Sequence, residues 1–288
     1  MRDRTTFRFR LSEFTGCAGC IVTLAAALLC CSPALGCNLP AQGEGRVSAI
    51  LDGRTLRLDD GREVRLAGIE LLTSASERRR AADALSALLD GASVTLHGNS
   101  DAPDRYGRQS ALVYRVGSDT PVQVALLEQG AAMMSPSIDA TCLPQLRTAE
   151  NAARQAWRGI WASGAALKNA ERPGDILAAI GQFGMVEGKV LSVRQAGSIT
   201  YVNFGRRWTQ DFALTISKPA VAAFEDAKIS LKSLENRKIR ARGWIGQRGG
   251  PRIEVLKVEQ VDMLSEAEPE PGRGRVRSGS QGGPPDRR

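Results

Sequence analysis

The chain contains one stretch in which aromatic rings alternate with guanidinium groups, formed by Tyr201, Phe204, Arg206, Arg207 and Trp208. Aromatic rings stack on unpaired bases and arginines bind phosphates, so this combination is typical of barrels that bind nucleic acid. The alternative is structural. Tyr201 and Phe204 fall on opposite faces of one predicted strand, so one of the two rings must point into a core.

Other kinds of catalytic chemistry are not favoured. His97 is the only histidine, which excludes a cluster of histidine ligands and indicates a structural role at a strand end. No glycine-rich loop leads from a strand into a helix, so hydrolysis of nucleoside triphosphates is not expected. Three consecutive arginines, Arg78 to Arg80, form either the solvated face of a helix or a contact with phosphate.

A small β-rich fold must position these residues. Alternating apolar residues between Gly45 and Thr73, interrupted by Asp52-Gly53 and Asp60-Gly61, predict three strands joined by tight turns. Ser74 and Glu77 predict a helix start, and Gly91 its end. The rest of this first part is predicted as two strands and two helices, at 93–97, 110–115, 122–130 and 143–160. Trp157 falls on the apolar face of the last helix.

A second β-rich part follows the first. We expect a linker at 163–180, a basic β domain at 181–264 and a disordered tail at 265–288, because the tail has almost no apolar residues. The domain is predicted as five strands and one helix, at 185–193, 198–204, 211–216, 219–224, 237–245 and 252–264. Trp244 is expected in its core.

The formal charge of +8 is concentrated in the second part. Residues 163–264 hold sixteen basic and ten acidic side chains, whereas residues 37–162 hold fourteen and fifteen. A nucleic acid or other polyanion is therefore expected to bind mainly at residues 181–264.

The first 36 residues have the pattern of a secretory signal peptide. Four arginines precede an apolar run from Ile21 to Cys31, and small residues flank Leu35. The run is too short to span a bilayer, so we expect an exported, periplasmic or extracellular protein. The alternative is an envelope protein held at the membrane by a lipid on Cys37. Cys37 and Cys142 remain after cleavage, and either they pair or Cys142 is a buried free thiol.

The meander at 45–73, the motif Asp104-Arg105-Tyr106-Gly107-Arg108 and the helix end Arg158-Gly159-Ile160-Trp161 resemble the thermonuclease (staphylococcal-nuclease-like) family over residues 44–162. The resemblance implies a β-barrel with helices (α+β). Residues 37–162 would form an OB-type thermonuclease-like domain, and a second small OB-like β domain would follow at 181–264. The second part is similar to the companion domain found beside thermonuclease domains in some bacterial proteins.

Active members of this family hold calcium between carboxylates, activate water with a glutamate and bind the phosphate with two arginines. The resemblance assigns the arginine roles to Arg65 and Arg108, and contacts with a terminal phosphate to Arg105 and Tyr106. The structural alternative for Arg65 and Arg108 is that they are solvated arginines on their strands.

The acidic half of the family site is replaced in this chain. Arg54 stands at the position of the first calcium ligand and Thr73 at that of the catalytic glutamate, which leaves Asp52 and Glu70 as candidate metal ligands. A guanidinium about 4 Å from a divalent cation costs roughly 8 kcal/mol at an effective dielectric constant of about 20. That equals the whole binding energy of a micromolar site, about 8 kcal/mol. We therefore expect no cofactor, and calcium only if the protein is an enzyme.

Two functions remain. The first is an exported, catalytically degenerate thermonuclease-like protein that binds nucleic acid or another envelope protein. The alternative is an active secreted phosphodiesterase, an endonuclease on DNA or RNA with a non-standard metal site.

Overall fold

The first half of the protein is a closed five-stranded barrel with helices packed around it. The computed structural model describes residues 37–264, so the predicted signal peptide and tail lie outside the described residues. In chain order the elements are β1 (Ala41–Asp52), β2 (Thr55–Leu58), β3 (Glu63–Leu66), β4 (Ile69–Glu70), α1 (Ala75–Leu89), β5 (Ser93–His97), β6 (Arg108–Arg115), α2 (Val122–Glu128), β7 (Met133–Met134) and α3 (Leu143–Gln155).

The barrel closes in the order β1-β2-β3-β6-β5. Strands β3 and β6 are parallel, and the other neighbours are antiparallel. The long β1 pairs with β5 through its first half and with β2 through its second half. The predicted meander is confirmed. β4 and β7 lie outside the barrel and form a short antiparallel ribbon.

Helix α3 is shorter than its apolar pattern predicts. It ends at Gln155 because Trp157 adopts a left-handed conformation, with φ at 54°. The amide of Arg158 then donates to the carbonyl of Ala153 at 2.9 Å, which closes the helix end. The expectation that Trp157 packs on the apolar face is wrong, since its residue surface is 47% exposed.

The second half contains an eight-stranded mixed sheet. Its elements are β8 (Leu167–Asn169), α4 (Pro173–Leu177), β9 (Phe183–Lys189), β10 (Ser192–Ala196), β11 (Ile199–Asn203), β12 (Ala213–Ser217), α5 (Lys218–Asp226), β13 (Lys238–Arg248), β14 (Gly250–Val255) and β15 (Val261–Met263). The strand order is β10-β11-β12-β14-β13-β9-β8, and β15 also pairs with β13. β12 and β14 are parallel.

Three features of this half differ from the sequence prediction. The segment 163–180, predicted as a linker, supplies β8, which pairs with β9, and the short helix α4. The predicted strand at 252–264 is divided by a single 3₁₀ turn at Val258–Gln260, since the side chain of Gln260 accepts from the amides of Leu256 and Lys257. The predicted strand at 185–193 is interrupted after Lys189.

The two halves share buried contacts. Each has its own apolar core, and a third cluster joins residues such as Met133 and Trp161 of the first half to Phe183 and Met185 of the second. At the start of the described chain, Cys37 and Cys142 form a disulfide with a Cα–Cα distance of 4.4 Å. The structure therefore agrees with the first alternative, a disulfide, and not with a buried free thiol at Cys142.

None of the helices within residues 37–264 has the length and apolar character needed to cross a membrane.

Candidate functional site

The predicted phosphate-binding residues come from neighbouring parts of the first barrel. Arg54 lies in the turn between β1 and β2, and Gly53 packs this turn against α1 so closely that an added Cβ would lie 2.4 Å from the Cβ of Ala81. Arg65 is on β3, where it faces Thr55 across the ladder. Arg108 begins β6, which runs parallel to β3.

Glu70 is held by two arginines at the end of β4. Its Oε1 accepts from Arg65 Nη2 at 2.7 Å, and its Oε2 accepts from Arg54 Nη1. The Glu70 side chain is only 6% exposed, whereas those of Arg54 and Arg65 are 21% and 28% exposed. Both carboxylate oxygens are therefore occupied by guanidinium groups that still reach the surface.

The other two carboxylates near these arginines are also occupied. Asp52 accepts from the backbone amide of Arg54 at 2.8 Å and from Thr55 Oγ1 at 3.2 Å. Asp104 accepts from the amides of Tyr106 and Arg108 through Oδ1, and from Nε and Nη2 of Arg108 through Oδ2. All six carboxylate oxygens therefore already accept hydrogen bonds from the protein.

Calcium does not fit this arrangement. The ion requires six to eight oxygen ligands with carboxylate charge among them, and both oxygens of Glu70 are occupied by the guanidinium groups of Arg54 and Arg65. Within residues 37–264 no three His, Cys, Asp or Glu side chains converge in a way that could hold a metal. Thr73 is exposed in the segment after β4, and its hydroxyl offers no base at neutral pH.

The electrostatic environment is that of a cationic site. Burial and the nearby charge of Arg65 lower the pKa of Arg54 to about 10. Burial and the charge of Arg108 lower the pKa of Arg65. Arg54, Arg65 and Arg108 therefore form one cluster of guanidinium groups that repel one another. A bound anion would relieve this repulsion.

Arg105, Tyr106 and Arg108 form the exposed edge of the cluster. Tyr106 is 64% exposed. The guanidinium carbons of Arg105 and Arg108 lie 4.7 and 5.0 Å from the centroid of its ring. Both distances are within the range of a cation–π contact. Arg108 Nη1 makes no hydrogen bond within residues 37–264, so it can donate to a ligand.

The second predicted cluster lies in the loop between β11 and β12. Arg206, Arg207 and Trp208 are all exposed, Trp208 by 75%. The loop packs against the β13–β14 hairpin, where a Cβ on Gly249 would lie 3.9 Å from the Trp208 ring. This contact brings the exposed Arg248 to the same end of the sheet, an arginine that sequence reasoning missed.

Two aromatic residues of that stretch are structural. Phe204 packs against Phe212 with ring centroids 5.1 Å apart, at the edge of the second core. Tyr201 is half-buried on β11. His97 also has a structural role, since its Nδ1 donates to the carbonyl of Leu39 at 3.0 Å and its ring contacts Tyr114. Arg78, Arg79 and Arg80 lie on the exposed face of α1.

Trp244 is the largest departure from the sequence prediction. It was expected in the core of the second domain, but it is 54% exposed on β13 and lines a cleft of about 380 Å³ between the two halves. Ile245 takes the core position instead. The alternation of β13 carries a usable signal, because Ile239, Ala241 and Ile245 face inward and place position 244 on the opposite face.

Residues 63–163 match the family model described as staphylococcal nuclease homologue. The match covers about a third of the chain and includes Arg65, Glu70 and Arg108. It confirms the resemblance and supports an OB-type fold for the closed barrel. No curated protein matches the chain.

Proposed function

We propose that this protein binds nucleic acid through phosphate contacts that need no metal, and that it does not cut the strand. The observation that carries the proposal is the pairing of Glu70 with Arg54 and Arg65, which converts the acidic part of the site into a cationic one. Where a nuclease of this family needs a divalent cation to neutralise the phosphate, the guanidinium of Arg54 supplies the positive charge permanently.

The remaining groups suit binding better than hydrolysis. Arginine recognises phosphate through planar, charge-assisted hydrogen bonds, and three arginines converge here beside an exposed tyrosine ring that can stack on a base. Thr73 supplies no general base, whose removal typically lowers a rate by about 10² to 10⁴. The site therefore keeps its affinity for phosphate and lacks both a metal and a base.

We propose further that the second sheet is an OB-type barrel that extends the binding surface. Its pairing order repeats that of the first barrel: β9 pairs with β13, β10 pairs with β11, and β12 runs parallel to β14. Only Val190 and Leu191 separate β9 from β10, so β9 and β10 together correspond to the single long β1 of the first barrel. In this arrangement Arg206, Arg207, Trp208 and Arg248 form one end of the barrel, where a strand can contact cations and a ring.

We also propose that the protein is exported. The support is the signal-like segment at residues 1–36 together with the disulfide between Cys37 and Cys142, since disulfides persist in oxidising compartments. That disulfide uses the Cys37 sulfur that a thioether lipid would need, which favours the soluble form over the lipid-anchored one.

The test is fluorescence anisotropy of the mature full-length protein with a labelled single-stranded oligonucleotide, in calcium, in magnesium and in chelator. We expect the same affinity in all three, a steep decrease with salt, and intact oligonucleotide afterwards. Arg65→Ala and Arg108→Ala should each weaken binding by about 10- to 150-fold, because a hydrogen bond to a charged group contributes about 1.5–3 kcal/mol. Arg57→Ala, on the same barrel but outside the cluster, is the matched control.

Two results would overturn the proposal. Cleavage that requires calcium and disappears in Arg108→Ala would establish the active phosphodiesterase. Binding to an envelope protein with no measurable affinity for the oligonucleotide would identify a protein partner instead.

A further inference from the structure

We infer that the cleft between the two halves binds one nucleotide of a single-stranded nucleic acid, with Trp244 stacking on the base and Arg252 and Lys257 contacting phosphate. The inference rests on the proposed function and names a site that neither the family resemblance nor the sequence pattern assigns. The cleft holds about 380 Å³, which is within the range of about 300–1,000 Å³ found for small-molecule pockets.

The indole of Trp244 is held in place but not covered. Phe183, which is buried, contacts it edge to face with ring centroids 5.9 Å apart and an interplanar angle of 77°. Such a contact fixes the ring orientation, while more than half of the Trp244 surface remains accessible. A rigid, exposed ring is the kind of platform on which a base of any type can stack.

The floor of the cleft is open beside this ring. Gly246 lies two residues beyond Trp244 on β13, on the same face, and an added Cβ there would meet no atom within 4 Å. Arg252 lies directly opposite Gly246 on β14. A base stacked on the indole over Gly246 would therefore bring its phosphate towards the neighbouring strand that carries Arg252.

The charges that line the cleft favour a ligand with a phosphate group over a neutral peptide. Arg252 and Lys257 are the cations of the lining and Glu254 is its one carboxylate. The Arg252 side chain makes no hydrogen bond or ion pair within residues 37–264, so its donors are available.

The cleft also lies next to the arginine cluster. Ser135 and Ser137 form its wall on the side of the first barrel. The amide of Ser135 donates to the carbonyl of Gly68 at 2.8 Å, and Gly68 is two residues from Glu70. The β4–β7 ribbon thus connects the two sites, so a strand that follows this ribbon from Arg65 can reach the cleft.

Gly246→Val gives a direct test, because an added Cβ meets no atom of the protein within 4 Å and the side chain would occupy the space of the ligand. Binding of an oligodeoxythymidine to the mature full-length protein is measured by anisotropy, with thermal unfolding as the check on folding. We expect about tenfold weaker binding by Gly246→Val and by Trp244→Ala, with unchanged unfolding temperature for the former. Trp244→Phe should retain most of the affinity because it keeps a ring.

A strand of the same length without bases separates stacking from charge. Its binding should be unaffected by Trp244→Ala and weakened by Arg252→Ala, while Glu254→Gln should strengthen binding of both strands by about two- to threefold. Trp157→Asn is the matched control, since it removes another exposed indole at a position whose φ of 54° suits asparagine.

The failures can be told apart. If Arg108→Ala abolishes binding but Gly246→Val and Trp244→Ala leave it unchanged, the cleft inference is wrong and the proposed function stands. If the unmodified protein binds no oligonucleotide, both are wrong. If a proline-rich peptide binds the cleft in a Trp244-dependent way and the oligonucleotide does not, the ligand is a protein.

Discussion

Arg54 Nη1 donates a hydrogen bond to Oε2 of Glu70, which among residues 37–264 is the one buried carboxylate beside the predicted phosphate-binding arginines. The long side chain of Arg54 could have turned to solvent and left Glu70 open to a cation. Instead, the turn that carries it is fixed by Gly53 against α1, and the guanidinium lies on the carboxylate. The substitution at position 54 therefore changes the charge of the site rather than merely removing a ligand.

We predict that Arg54→Asp restores affinity for calcium. The change removes the guanidinium from Glu70 and adds a second carboxylate beside it, and the resulting site should bind calcium with a dissociation constant of about 10⁻³ to 10⁻⁴ M, the range of open extracellular sites. Calorimetric titration of the mature protein measures it.

Arg54→Ala is the control for that experiment. It also removes the guanidinium but adds no oxygen ligand, so calcium binding should remain weaker than in Arg54→Asp. Equal affinity in the two variants would mean that the carboxylate at position 54 contributes nothing and that the site does not resemble the family's metal centre.

The sequence predicted the first barrel well because its signals are local. Asp52-Gly53 and Asp60-Gly61 mark two turns, and Ser74 caps α1 by accepting from the amide of Glu77 at 3.3 Å. The replacements at positions 54 and 73 were also readable, since each falls inside a short motif. What local signals could not predict was the direction of the Arg54 side chain, which depends on Glu70, sixteen residues away and outside the β1–β2 hairpin.

The errors in the second half have long-range causes. Arg242 lies in a predicted strand, but it is only 2% exposed and donates to Glu150 of α3 at 2.7 Å, a contact between residues 92 positions apart. Once that pair and the cluster around Met185 join the two halves, the segment 163–180 is no longer a loose connector. Trp244 is left at the surface because the core position belongs to Ile245.

The negative charge of Asp104 should stabilise the folded protein at neutral pH, and this contribution should be lost in acid. The hydrogen bonds from the Arg108 side chain and the backbone amides lower the pKa of Asp104 from 3.8 to about 2. A lowered folded-state pKa contributes stability above the unfolded value of 3.8 and loses it as the pH falls towards 2. Asp104→Asn should therefore be less stable than the unmodified protein at pH 5, and the difference should shrink between pH 4 and pH 2.

Urea unfolding at each pH measures this difference. Asparagine still accepts from the amides of Tyr106 and Arg108, so the variant removes the charge and keeps the turn. A difference in unfolding free energy that stays constant from pH 5 to pH 2 would show that the charge of Asp104 does not contribute to stability.

Arg242→Leu should destabilise the whole protein strongly. The variant leaves Glu150 buried without its cation, although Glu150 Oε1 still accepts from the amide of Met134 at 2.7 Å. Breaking a buried ion pair from one side typically costs about 3–5 kcal/mol of unfolding free energy. Arg57→Leu breaks the exposed pair with Glu63 and should cost less than about 1 kcal/mol.

The double variant Arg242→Leu with Glu150→Leu separates pairing from packing. Because it leaves no buried charge unpaired at position 150, it should recover part of the stability lost in the single variant. Additive losses in the double variant would show that the two side chains act independently.

The disulfide between Cys37 and Cys142 should contribute to stability mainly by restricting the unfolded chain. It closes a segment with a sequence separation of 105 residues, and a loop of about 100 residues corresponds to roughly 4.7 kcal/mol in the chain-entropy treatment. Cys142→Ala should lower the unfolding free energy by up to about that amount, and reductant should have no further effect on the variant.

Because a thioether lipid and the disulfide compete for the same Cys37 sulfur, the exported protein should have the mass of an unmodified chain lacking two hydrogens. A lipid mass on Cys37 with a free Cys142 thiol would place the protein at the membrane surface and remove this source of stability.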